Sequence, residues 1–230
     1  IDERAEQWDT DGVVFRGNSI GENQIAEGYQ PVGNYGDWVN AVVTASTYPV
    51  VMATIYASLT APMLSILGCK NFIFSIDGDT SYGKTSAAGA GASCWGNPDI
   101  SSPGGAMVTW GTTLYAIERR AAALRGLSVV LDDTKLAPKI RGEQEIIPKV
   151  IYMIASGRAA AKGQPNGLRS ETLLETVLIT TGEMPAVNFS LDGGTRNRVI
   201  EIEAAPFGGK SDKIEKVVNH LNRQFAANYG

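Results

Sequence analysis

The chain has 230 residues, 43% of them hydrophobic and 19% charged, which is enough apolar material for a substantial core and excludes intrinsic disorder as a description of the whole. A formal net charge of -4 argues against a broad basic face that coats nucleic acid, so any nucleic-acid contact has to be local. Two cysteines and one histidine cannot build a four-ligand Cys/His zinc site or a disulfide framework, and the default setting is reducing and cytoplasmic.

The chain opens on Ile1 and the polar stretch Asp2 to Thr10, without a charged-then-apolar leader, and reads as a domain cut from a longer protein. From Trp38 through Cys69 there is no formal charge, and Val50 to Leu67 is largely apolar. A membrane span of about 20 residues has to be considered there. Pro49, Pro62, the repeated Ser and Thr residues and the lack of basic flanks favour no membrane and instead two buried helices, Trp38 to Ser46 and Val50 to Leu67, broken or bent by the prolines and packed on a sheet that follows.

The sheet is expected to begin at Asn71 to Asp77, NFIFSID, ahead of a glycine-rich turn and a helix from Lys84 to Cys94. Gly89 and Gly91 each cost that helix about 1 kcal/mol, so tertiary packing or a ligand at its amino end must hold it. The turn itself, Gly78-Asp79-Thr80-Ser81-Tyr82-Gly83-Lys84-Thr85, fits G-x-x-x-x-G-K-[ST] at every fixed position, and Ser86 follows it into the helix. Such a loop suits phosphate because its glycines let backbone N–H groups turn inward around a β-phosphate. The lysine reaches the β and γ oxygens, and the hydroxyl of Thr85 can ligate Mg²⁺. The helix dipole adds to the attraction.

A strand at Ala106 to Trp110 and a helix at Thr112 to Arg125 lead to the apolar strand Leu127 to Leu131, which runs into Asp132 and Asp133. A phosphate loop calls for such a carboxylate at the end of a neighbouring strand, with Asp132 as the candidate for the Mg²⁺ shell. Asp133 stands where many ATPases carry a glutamate that polarises the attacking water; the alternative is that the two acids cap a turn. After a helix near Gln144 to Ser156 comes Gly157 to Arg169, a glycine-punctuated excursion carrying Arg158, Lys162 and Arg169. It is either a nucleic-acid phosphate contact or a solvated loop.

The strand Thr176 to Thr181 ends in hydroxyls, and Thr180 or Thr181 is the candidate to orient water or contact the γ-phosphate. Glu183 either binds a cation or caps the next turn. Arg196 and Arg198 precede the strand Arg198 to Glu203, and arginines there can stabilise transferring-phosphate charge within one subunit or across an interface. A helix over residues 210–230 closes the chain. Strands alternating with helices imply an α/β fold with a mainly parallel sheet and helices on both faces.

The order of FSIDGDTSYGKTSAAGAGASCWGNP, VTWGTTLYAIERRAA, LSVVLDD, IYMIASGRAAAKG and ITTGE resembles the ATPase domain of unknown function, the domain of unknown function 927 type, in phage and mobile-element primase-helicase proteins. Trp95-Gly96, Trp110 with Thr112, Glu118, and Ile151-Tyr152 with Gly157 occur in the same order. The resemblance extends from about Trp38 to the end. It implies a P-loop NTPase of the additional-strand class, AAA+ or RecA-like, as a three-layer sandwich with an N-terminal helical extension. Residues 1–37 would be an N-terminal segment, 38–70 a helical lead-in, 71–205 the nucleotide-binding core and 210–230 a C-terminal helix. It further implies an ATP- and Mg²⁺-dependent motor forming a homo-oligomeric ring such as a hexamer. The basic excursion would touch single-stranded DNA, and Arg196 or Arg198 would act in a neighbour's site. Asp133 departs from the family's glutamate, which puts fast hydrolysis in question. A small-molecule phosphotransferase and a slow nucleotide-binding switch are the competing readings.

Overall fold

A computed structural model describes residues 19–138, 146–159, 163–164, 167–168, 172–189 and 196–230. The described residues form seven strands: β1 (Phe72–Asp77), β2 (Met107–Thr109), β3 (Val129–Asp132), β4 (Gly163–Gln164), β5 (Gly167–Leu168), β6 (Val177–Thr181) and β7 (Val199–Glu203). Five of them make one sheet in the order β2-β3-β6-β1-β7, with every pairing parallel. β4 and β5 make a separate antiparallel hairpin.

β3 and β6 are buried along their whole length and β1 along nearly all of its own, as strands covered on both faces must be. Their side chains alternate. Ile73, Val129, Leu131 and Leu178 join a core with Trp110 under α6 (Leu114–Ala123) and α7 (Ile146–Ser156). Phe74, Ile76, Val130 and Ile179 point the other way, into a core with α2 (Tyr35–Ala45), α3 (Pro49–Thr60), α5 (Lys84–Ala92) and the C-terminal helix α8 (Asp212–Ala227). A shorter helix, α1 (Ile20–Gly28), touches α6.

The apolar lead-in forms the expected helices with their break at a proline, and differs where the first one starts. α2 starts ahead of Trp38, because the Asn34 side chain accepts the amides of Gly36 and Asp37. The second helix divides: α3 ends at Thr60, and the short α4 (Met63–Leu67) follows Pro62 and stops at Gly68, whose φ of 63° is left-handed. Among the described residues no helix is long and apolar enough to cross a membrane.

The glycines of α5 are explained by contact. A Cβ on Gly91 would lie 3.1 Å from Thr54 Cγ2 and 3.2 Å from Ile179 Cδ1, so the missing side chain lets α5 press against α3 and β6. The Ser58 hydroxyl then donates to the Gly91 carbonyl at 2.7 Å. Packing therefore offsets the weak helix propensity of this segment.

Candidate functional site

Parallel register brings the carboxyl ends of β1, β3 and β6 to one edge. Ile76 pairs with Thr181, and Leu131 pairs with Thr180, so Asp77, Asp132 and Thr181 finish side by side. The glycine-rich segment leaves β1 there. Gly78 and Gly83 take φ of 130° and 83°, and Ser81 takes 66°, a left-handed conformation uncommon for a residue with a Cβ. No side chain caps α5, whose N-cap position is Gly83, so the open amino end of the helix faces the loop. Lys84 Nζ folds back and donates to the carbonyls of Gly78 and Asp79, each at 2.6 Å.

Across from the loop, Thr85 Oγ1 donates to the Asp132 carboxylate at 3.1 Å and Thr181 Oγ1 donates to its Oδ1 at 2.6 Å. The same Thr181 oxygen accepts the Asp133 amide at 2.9 Å. Burial pushes the Asp132 carboxyl above its ordinary value, against the two hydroxyl donors and the Lys84 charge, while Asp133 pushes in the same direction as burial. These groups line a cavity of about 320 Å³ together with Thr80, Ser81, Gly83 and Lys135. At its mouth Glu183 accepts from Thr80 Oγ1 at 3.0 Å and pairs with Lys135, and those two partners hold its carboxyl below the usual range.

The expected residues separate into groups. Thr80, Ser81, Gly83, Lys84, Thr85, Asp132, Asp133 and Thr181 share the cavity, with Gly78 and Asp79 joined through Lys84. Tyr82 lies on the loop's other flank, where Lys210 Nζ sits 4.5 Å from its ring centroid, and Ser86 lines a different cleft with Pro98 and Met107. Thr180 is turned away from the cavity: it is buried and accepts from Trp110 Nε1 at 2.8 Å. That leaves Thr181 as the β6 hydroxyl at the cavity. Asp133 has φ of 60° and its side chain accepts the Lys135 amide at 3.1 Å, so part of its carboxylate is engaged in the turn.

Arg158, Arg196 and Arg198 lie at the opposite edge of the sheet. Ile73 N donates to the Arg198 carbonyl at 2.8 Å, and the six residues of β1, at about 3.3 Å each, span roughly 17 Å from there to the loop. Arg198 is half-buried and its guanidinium donates to the Ala155 carbonyl at the end of α7; Arg196 is exposed. Asn71 gathers the same edge, donating to the carbonyls of Ile154 at 2.9 Å and Leu174 at 2.7 Å. From there Arg158 bridges Leu173 and the excursion continues into the β4–β5 hairpin. Lys162 and Arg169 lie outside the described residues.

Asp77 and Lys135 stand at the site without a motif that marks them in the sequence. Asp77 ends β1 fully buried, accepts the Ser75 hydroxyl at 2.9 Å, and has one carboxylate oxygen without a partner among the described residues. Burial, mainly, drives its carboxyl from 3.8 up to about 7. An acid inside an otherwise apolar strand was the signal available in the sequence.

No curated protein matches the chain. A solved structure described as "SCCmec type IV Cch - active helicase" superposes on 88% of this chain with a TM-score of 0.66 at 23% identity, and the chain spans 36% of that protein's length. At that identity the likeness concerns the fold, an α/β domain on a five-stranded parallel sheet. A family model described as "Domain of unknown function (DUF927)" matches residues 5–171, starting before Trp38 and stopping ahead of β6. Since that match takes in well over half of the sequence, the chain belongs to the DUF927 family.

Proposed function

We propose that the chain is an ATP-hydrolysing motor domain of the P-loop NTPase superfamily, with the additional-strand core of AAA+ and RecA-like proteins, and that it serves as a DNA helicase module of a phage or mobile-element replication protein. The observation that carries this reading is the convergence of Lys84 and Thr85 with Asp132 and Thr181 on one cavity. In it, Lys84 leaves the carbonyls of Gly78 and Asp79 for the β and γ oxygens of ATP, and the amino end of α5 faces the phosphates.

Thr85 and Asp132 offer hard oxygen donors 3.1 Å apart, which fit Mg²⁺, and the remaining ligands would come from phosphate and water. When bound, Mg²⁺ neutralises charge on the phosphate oxygens. Thr181 fixes Asp132 and the Asp133 amide together, and Asp133 is the candidate proton acceptor for the attacking water. Its engagement with the Lys135 amide favours slow hydrolysis, which keeps the nucleotide-switch reading as second.

The far-edge arginines suit a homo-oligomeric ring such as a hexamer. Arg196 and Arg198 are too distant to serve their own cavity, so either acts only in a neighbour's, and exposed Arg196 is the better candidate. Arg158, Lys162 and Arg169 are the single-stranded DNA contact. We take residues 1–37 as an N-terminal segment, 38–70 as the lead-in, 71–205 as the nucleotide core and 210–230 as the closing helix of a cytoplasmic protein. The likeness to a solved structure described as an active helicase supports the motor reading.

ATPase activity measured with and without single-stranded DNA, beside a mass measurement in ATP, tests this. DNA stimulation together with a multi-subunit assembly is the expected result. DNA-independent turnover by a monomer would favour the phosphotransferase.

A further inference from the structure

We propose that the cleft between residues 81–83 and the first turns of α8 is a purine-base site, so that the C-terminal segment selects the nucleotide. This rests on the phosphate-loop reading above. Ser81 and Gly83 line two cavities, one on each flank of the loop. The first holds Asp132, Thr85 and Thr181, and is therefore the γ-phosphate end. A triphosphate that crosses the loop from that end leaves on the other flank, beside the edge strand β7. A second cavity, of about 490 Å³, opens there, within the range of small-molecule sites.

Its walls have the chemistry of a nucleobase. Tyr82 supplies aromatic surface, with the Lys210 ammonium over its ring, Ile214 and Val218 supply apolar surface backed by Phe207, and the exposed carboxylates of Asp212 and Glu215 stand at the rim. A flat π-system bearing an exocyclic amine suits that set, with its ring against the apolar wall and its amine donating to a carboxylate. Phe207 is part of the loop's architecture. It is buried, and its ring comes so close that a Cβ on Gly83 would lie 2.6 Å from Cδ2. Tyr48 packs on it at 5.0 Å between centroids. The family model stops at residue 171, so this wall belongs to a part of the chain that the family description does not reach.

The test measures, by calorimetry, the affinities of ATP and of inorganic tripolyphosphate for the parent chain and for Ile214→Trp, Val218→Trp and Lys84→Ala. The parent is expected to bind ATP more tightly than tripolyphosphate. Ile214→Trp and Val218→Trp fill the cleft from α8, away from the loop. Each should weaken ATP about 10- to 100-fold, the range that base–aromatic stacking supplies, and leave tripolyphosphate within about twofold. Lys84→Ala should lose both ligands. If Ile214→Trp loses both through misfolding, Val218→Trp decides. Unchanged ATP affinity in Val218→Trp, or a parent that binds ATP no better than tripolyphosphate, overturns the base site and leaves the loop reading intact. A parent that binds neither ligand overturns the loop reading and the base site with it.

Discussion

The Thr181 hydroxyl donates to Asp132 at 2.6 Å while its oxygen accepts the Asp133 amide at 2.9 Å. One side-chain oxygen thus joins the ends of β3 and β6 and sets the orientation of the carboxylate facing the loop. Thr181→Val keeps the shape but strands both partners, so it should lower stability by about 1–3 kcal/mol and turnover about 10²-fold. Thr181→Ser should restore most of both. Steady-state ATPase rates and urea denaturation check this, and a valine variant with parental turnover would remove Thr181 from the site.

Lys84→Ala should abolish hydrolysis and severely weaken triphosphate binding, since it removes the charge meant for the β and γ oxygens. Asp132→Asn should lose turnover much more than nucleotide affinity, because it disturbs the cation rather than the loop. Equilibrium binding beside turnover separates the two, and equal losses in Asp132→Asn would count against a role in holding Mg²⁺.

For Asp133 the turn provides a discriminating pair. Asn tolerates the left-handed backbone and can still accept the Lys135 amide, so Asp133→Asn preserves the turn and deletes only the charge. If the carboxylate accepts a proton, Asn and Ala should both slow turnover by ~10²- to 10⁴-fold. If it only caps, Asn should be close to parental while Ala loses stability. Asp133→Glu should preserve or raise turnover.

The two arginines should separate. Arg198→Ala removes a donor from the Ala155 carbonyl and should cost about 1 kcal/mol of stability, whereas Arg196→Ala should keep ATP binding and cut turnover by ~10³-fold or more. Mixing Arg196→Ala subunits with Lys84→Ala subunits should recover activity, because the second supplies the arginine missing from the first. Mixtures no more active than their components would end the composite-site model.

Asp77 predicts a pH effect on stability. Its folded carboxyl titrates at about 7 against 3.8 for a free one. Between those values the native state keeps a proton that the unfolded chain has released, so stability falls as pH rises through this window and the cost is complete above pH 7. Asp77→Asn should flatten the dependence and gain on the order of 2 kcal/mol at pH 8. Denaturation midpoints at pH 5 and pH 8 measure it, and parallel profiles for parent and variant would refute the assignment.

The strands and loop of the site were legible because each has a local signature: β-branched runs for β1, β3 and β6, glycines at the turn, and acids directly after an apolar strand. Two-residue strands carry no periodicity, so the basic excursion read as a loop although it contains the β4–β5 hairpin. The choice between Thr180 and Thr181 depends on which face of β6 meets Trp110, a tertiary fact. Residue numbers likewise could not reveal that Phe207 packs on Gly83 or that Glu183 pairs with Lys135. The break at Pro62 was legible from the proline itself, whereas the start of α2 moved because a side-chain cap at Asn34 outweighed the apolar pattern.

Gly91 has a mechanical consequence. A Cβ at that position would press on the side chains of Thr54 and Ile179, so a larger residue there has to displace the helix behind the loop or the two elements it rests on. The loop's rear wall is thereby an anvil whose seating at the centre of the sheet depends on one missing side chain.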